Sequence, residues 1–110
     1  MSYEIRNVNG AAVVALTGDV DLQTSPVVRQ KLLESLDGHS RVVVDLSAVN
    51  YIDSSGVASL VEAFQVSRKK GASFALASVS SAAMRVLSLA RLDKVFTIHP
   101  SVEAALGTPG

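Results

Sequence analysis

The spacing of apolar residues changes repeatedly along the chain, and each change marks an element. Tyr3, Ile5 and Val8 sit in a polar-interrupted run that reads as a strand, and the Asn9-Gly10 pair after it tolerates the positive φ angles of a two-residue hairpin turn. The run 11–17 is continuous and β-branched, as expected of a strand covered on both faces. Gly18-Asp19-Val20-Asp21 is expected to break it. From Thr24 the period becomes helical: Val28, Leu32 and Leu36 recur every fourth residue among Arg29, Gln30 and Glu34. Thr24 or Ser25 can cap that helix, Pro26 suits its first turn, and Gly38 stops it.

A second buried strand is predicted at 41–46, a connection at 47–53, and a helix at 54–70 that ends before Gly71. Val57, Leu60, Val61 and Phe64 form the apolar stripe of that helix, while Glu62, Gln65, Arg68 and Lys69 face water. A strand follows at 73–77. Ser80 can cap a third helix with the stripe Ala83, Met84, Leu87 and Ala90. Residues 95–98 read as a short edge strand, 101–106 as a terminal helical turn or two, and 107–110 as a fraying tail. The order β-β-α-β-α-β-α-β-α predicts an α/β fold, a mixed sheet with helices packed on it, in a single domain over 1–110.

Composition narrows the function classes without choosing one. With 110 residues, 48% hydrophobic, the chain can bury roughly two-thirds of its unfolded surface, so disorder is excluded. Ten basic residues balance ten acidic ones, which argues against direct nucleic-acid binding. The absence of cysteine removes disulfides and thiolate metal sites. The nearly uncharged run 10–18 is about half the length that spans a bilayer. The amino terminus has no basic region followed by an apolar stretch, so a cytoplasmic location without membrane insertion is expected.

Little of the polar inventory points to catalysis. His39 and His99 have no partners at metal-ligand spacing and read as solvated loop residues, leaving no expected metal or cofactor. A hydrolase could combine His99 with Ser54 or Ser55 and Asp53, but the Gly-x-Ser-x-Gly elbow is missing. Neither a Gly-x-x-x-x-Gly-Lys loop nor Gly-x-Gly-x-x-Gly is present. Arg68-Lys69-Lys70 is the positive end of a helix meeting its dipole, and Asp45 ends a strand where it can accept loop amides or face a partner.

The informative segment is 50–58, with Asp53, Ser54 and Ser55 at the junction of a loop and a helix start. One cap needs one residue, and three candidates stand in a row. Gly56 lets another backbone come close. A phosphoserine here would add roughly −1.5 to −2 charges. The helix dipole tolerates that charge, whereas a partner docked on the same surface meets a dianion beside Asp53. A binding switch without a change of fold is therefore physically open, next to the plain cap.

These residues resemble the STAS family, the domain of anti-sigma-factor antagonists and of the cytoplasmic ends of sulfate transporters. The resemblance runs from Ile5 to about Leu106. It rests on Leu16-Thr17-Gly18-Asp19-Val20-Asp21, on Val43-Val44-Asp45-Leu46-Ser47, and most specifically on Tyr51-Ile52-Asp53-Ser54-Ser55-Gly56; Phe74-Ala75-Leu76 and Leu92-Asp93-Lys94-Val95-Phe96 are weaker landmarks. It implies a non-enzymatic partner switch. The unphosphorylated domain binds an anti-sigma factor that is also a serine kinase, phosphorylation releases it, and a phosphatase resets it. The family's phosphorylated serine falls on Ser54, with Ser55 the fallback. Asp21, Asp53, Ser55, Gly56, Val57 and Ala58 fall on the partner surface, Val57 and Ala58 as exposed apolar positions completing it.

Asp19 stands where the family usually has Glu, Val57-Ala58 where Leu-Gly is frequent, and Ser80-Ser81 where Ser-Pro is common. The alternative partner within the family is the ATPase of a lipid-transporting ABC system, and the intact Asp-Ser-Ser-Gly turn favours the sigma-type switch. A monomer, or a weak dimer through the edge strand, is expected.

Overall fold

The computed structural model describes residues 1–107; most of the tail expected to fray, 108–110, lies outside the described residues. Strand β1 (Ser2–Val8) turns at Asn9-Gly10, both with positive φ (51° and 85°), into β2 (Ala11–Val20), as the Asn-Gly pair predicts. Helix α1 (Ser25–Gly38), β3 (Arg41–Ile52), α2 (Ser54–Lys70) and β4 (Ser73–Ala77) follow. Then come α3 (Ser81–Leu89), a 3-10 turn at Leu92–Lys94, β5 (Thr97–His99) and α4 (Val102–Leu106). The five strands lie in the order β1-β2-β3-β4-β5, antiparallel between β1 and β2 and parallel thereafter. The predicted α/β mixed sheet is this one.

The central strands are covered on both sides. Ala12, Val14 and Leu16 of β2 and Val42, Val44 and Leu46 of β3 join the large core with Val28, Leu32, Leu60 and Leu87 from α1, α2 and α3. Val13 and Val43 point the other way and pack with Val102 and Ala105 of α4. Phe64, Phe74 and Phe96 close the large core with ring centroids 5.5–6.4 Å apart.

Two expectations need correction here, and they share a cause. Gly18-Asp19-Val20 does not break β2, and 47–52 is not a connection, because β2 and β3 run on together to Val20 and Ile52. Their pairing shifts register between Ala15 and Thr17 and again between Gly18 and Asp19, with one extra β3 residue at each place. Gly18, at φ 92°, takes the backbone angle that accompanies the second irregularity. The bulges space the buried residues of β3 as Leu46, Val49 and Ile52, a period of three that disguises a strand.

Smaller corrections lie at the edges. The last strand is Thr97–His99 rather than 95–98, with Val95 exposed before it. Ala90 is exposed and follows α3, so the buried stripe of that helix reduces to Ala83 and Leu87. Neither histidine is a free loop residue. His39 is half-buried with Nδ1 3.0 Å from the Ser35 carbonyl at the end of α1, and half-buried His99 ends β5.

Candidate functional site

The parallel register of β2 and β3 assembles the site. Val20 pairs with Ile52, so the next residues, Asp21 and Asp53, emerge side by side at the carboxyl ends of adjacent strands. The Asp53 amide donates to the Val20 carbonyl at 3.2 Å, extending the pairing one step into the loops. Crevices at the carboxyl ends of parallel strands are where α/β sheets place their functional groups.

Asp53 caps α2. Its Oδ1 accepts from the amides of Ser55 (3.0 Å) and Gly56 (3.1 Å) and from the Ser55 hydroxyl (2.5 Å). The Ser55 hydroxyl first, then the Gly56 amide, hold the Asp53 carboxyl below the usual carboxylate range. Asp21 does the same work in the preceding loop: its Oδ1 accepts from the amides of Gln23 (3.0 Å) and Thr24 (3.1 Å) and from the Thr24 hydroxyl (3.1 Å). Thr24 precedes α1 without a side-chain cap bond to the helix; its hydroxyl accepts from the Asp21 amide at 2.9 Å and lies within donating distance of both the Asp19 carbonyl and Asp21 Oδ1. Ser25 is buried at the helix start.

The two serines of the turn differ. Ser54 is exposed and its hydroxyl makes no hydrogen bond to any described residue, whereas the half-buried Ser55 hydroxyl is committed to Asp53. Gly56 has an internal reason to be glycine. A Cβ there would lie 2.7 Å from Ile52 Cγ1 and 2.8 Å from both Val20 Cγ1 and the Val20 carbonyl. The close approach expected at Gly56 is therefore made by the chain's own β2 and β3, not by a partner. Val57 is buried at 9% exposure, so of the two apolar positions expected to complete a docking patch only Ala58 reaches the surface.

Two apolar residues that periodicity did not single out are exposed near the ends of β2 and β3. Leu22, beside Asp21, is 75% exposed, and Tyr51, paired with Asp19, is 51% exposed. An apolar residue inside the polar loop 18–25 was the readable signal for Leu22. Ser59 is a second omission: buried one turn into α2, its hydroxyl lies 3.2 Å from the carbonyls of both Ser25 and Ser55 and ties the starts of α1 and α2 together. The hydrolase arrangement does not form. Register aligns His99 through Ala77 with Asp45, well short of the end of β3 at Ile52. Asp45 accepts the Ser47 amide at 2.9 Å. Among the described residues there is no group of three or more potential metal ligands, and no helix is long and apolar enough to cross a membrane.

The model of the STAS domain matches residues 2–105. The chain belongs to the STAS family. This STAS domain is 33% identical over 101 residues to the anti-sigma-F factor antagonist RsfB of Mycobacterium tuberculosis, covering 89% of this chain and 80% of that protein. The crystal structure of an anti-sigma factor antagonist from Mycobacterium paratuberculosis superposes with a TM-score of 0.85 at 29% identity, covering 96% and 90% of the two chains. SpoIIAA, an anti-sigma factor antagonist, shares the fold in its unphosphorylated form, with a TM-score of 0.82 at 17% identity over 96% and 93% of the chains. Its phosphorylated form scores 0.75 at 16% identity over 96% of each chain. A regulatory binding module rather than an enzyme follows from the family.

Proposed function

We propose that this STAS domain is an anti-sigma-factor antagonist that binds an anti-sigma factor with serine-kinase activity and is released when Ser54 is phosphorylated. The observation that carries the reading is the inequality of the two serines: Ser54 offers an exposed, uncommitted hydroxyl, and Ser55 spends its own on the cap. The names of RsfB and of the Mycobacterium paratuberculosis protein support the partner class. SpoIIAA, solved in both phosphorylation states, supports the idea that this fold carries a phosphate.

The site's geometry also sharpens how release would work. Asp53 already occupies the Ser55 and Gly56 amides, so a phosphate on Ser54 does not sink into the helix start. It stands at an exposed position next to Asp53, with Asp21 at the end of the neighbouring strand, adding roughly −1.5 to −2 charges to a surface that a partner must cover. Like charges brought together at an interface oppose binding strongly, while the fold beneath is untouched.

The test is affinity capture from native lysate of the parent organism with wild type, Ser54→Ala and Ser54→Asp, followed by mass spectrometry of the bound kinase and of the bait. Wild type and Ser54→Ala should retain a kinase-type anti-sigma factor, Ser54→Asp should bind it at least about tenfold more weakly, and phosphate should map to Ser54. Equal retention by the Asp variant defeats the switch, and an ABC ATPase in place of the kinase defeats the sigma-type reading.

A further inference from the structure

A concavity lies at the end of the sheet opposite Ser54. It is an open cleft of about 840 Å³ between the β1–β2 turn, the start of β3, the α2–β4 turn and the end of α4. That volume is within the range of small-molecule sites. Arg41 and Arg68 both line it, and its lining contains no aspartate or glutamate. Neither arginine belongs to an ion pair among the described residues, although Arg6, Arg29, Lys31 and Lys70 all do.

The two guanidiniums are held rather than free. One Arg41 Nη donates to the Leu106 carbonyl at 3.1 Å, which leaves most of its five N–H donors unspent. Arg68 stands 5.8 Å from the centre of the Phe64 ring. The dipole of α2 accounts for a cation at residues 68–70 in general, and Lys70 answers it while pairing with Asp37. It does not account for two arginines from different elements lining one cleft with no ion-pair partner among the described residues. Val8 and Leu106 add apolar wall, and a Cβ at Gly10 or Gly71 would meet none of the described residues within 4 Å.

We propose that this cleft binds a small organic phosphate, its dianion between Arg41 and Arg68 and its organic part against Val8 and Leu106. Two guanidiniums lining one cleft suit a phosphate because their N–H groups form charge-assisted, fork-shaped hydrogen bonds. The site is independent of Ser54, at the other ends of β3 and α2.

The experiment is amide NMR on the full chain titrated with phenyl phosphate at constant ionic strength, with inorganic phosphate as a second arm. Saturable shifts are expected at Gly10, Arg41 and Gly71 and not at Ser54–Gly56, with phenyl phosphate the tighter of the two probes. Arg68→Gln, at an exposed position, should weaken binding about tenfold with the rest of the spectrum unchanged. Arg41→Gln should weaken it as much, and the spectrum itself reports whether that variant folds. Shifts that never saturate, that scatter over the surface lysines, or that persist undiminished in Arg68→Gln overturn the proposal.

Discussion

Asp53 concentrates three jobs in one side chain: it caps α2, it commits the Ser55 hydroxyl, and it leaves Ser54 alone at the surface. Asp53→Ala should therefore lower the thermal midpoint and free the Ser55 hydroxyl. The pH dependence has a definite sign. Because the folded-state pKa is lowered, the cap's stabilisation is fully present above the unfolded carboxylate value and is lost as pH falls through the folded one. Denaturant titrations of wild type and Asp53→Ala should differ most near neutrality and begin to converge only once the pH falls below the ordinary carboxylate value of about 4. A gap that widens toward low pH would contradict the cap. Asp53 as a cap was legible in the sequence, since a carboxylate before a helical period is a local signal. The division of labour between Ser54 and Ser55 was not, because both are hydroxyls next to one carboxylate until the backbone turn chooses between them.

At the scale of elements, the site depends on how closely the first turn of α2 approaches β2. Gly56 permits that approach, and alanine there trades a helix-propensity gain of at most about 1 kcal/mol for a clash. The clash prevails because one atom in the way is the Val20 carbonyl, backbone that no rotamer can move. Gly56→Ala should cost about 1–3 kcal/mol by urea unfolding and displace the Asp53-Ser54 turn as well. No loss of stability would mean that α2 can slide. Gly56 was visible in the sequence, but its reason was not: the Val20 contact spans 36 positions and exists only after β2 and β3 pair. Val57 illustrates the same limit, since a residue at a helix start can face outward or inward with the same local pattern, and the sheet beneath it decides.

At the scale of the whole molecule, two small charged clusters lie at opposite ends of the sheet. Ten basic and ten acidic residues cancel in sum, yet Asp19, Asp21 and Asp53 gather at the carboxyl ends of β2 and β3, and Arg41 and Arg68 at the other end. Burial is graded across the sheet. β2 and β3 are covered on both faces over their first halves, while β1 is exposed along nearly its whole length, with Glu4 and Arg6 among its residues. Charged side chains on such an edge discourage further strand pairing. Amide hydrogen exchange should be slowest at Val13, Val14, Val43 and Val44 and fastest in β1 and β5. Uniform protection across the five strands would argue for an additional partner on the β1 edge.

The sequence by itself determined the order of elements, the Asn9-Gly10 turn, the caps at Asp53 and Ser80, the stop at Gly71 and the family to which the chain belongs. Those features are set by residues a few positions apart, whose conformational preferences act before the chain has folded. The tertiary structure decided where β2 and β3 end, which serine keeps a free hydroxyl, that Leu22 and Tyr51 rather than Val57 reach the surface, and that Arg41 and Arg68 share a cleft. Each of those depends on strand register and on backbone bulges, which bring together residues distant in the chain and are written in no single stretch of it.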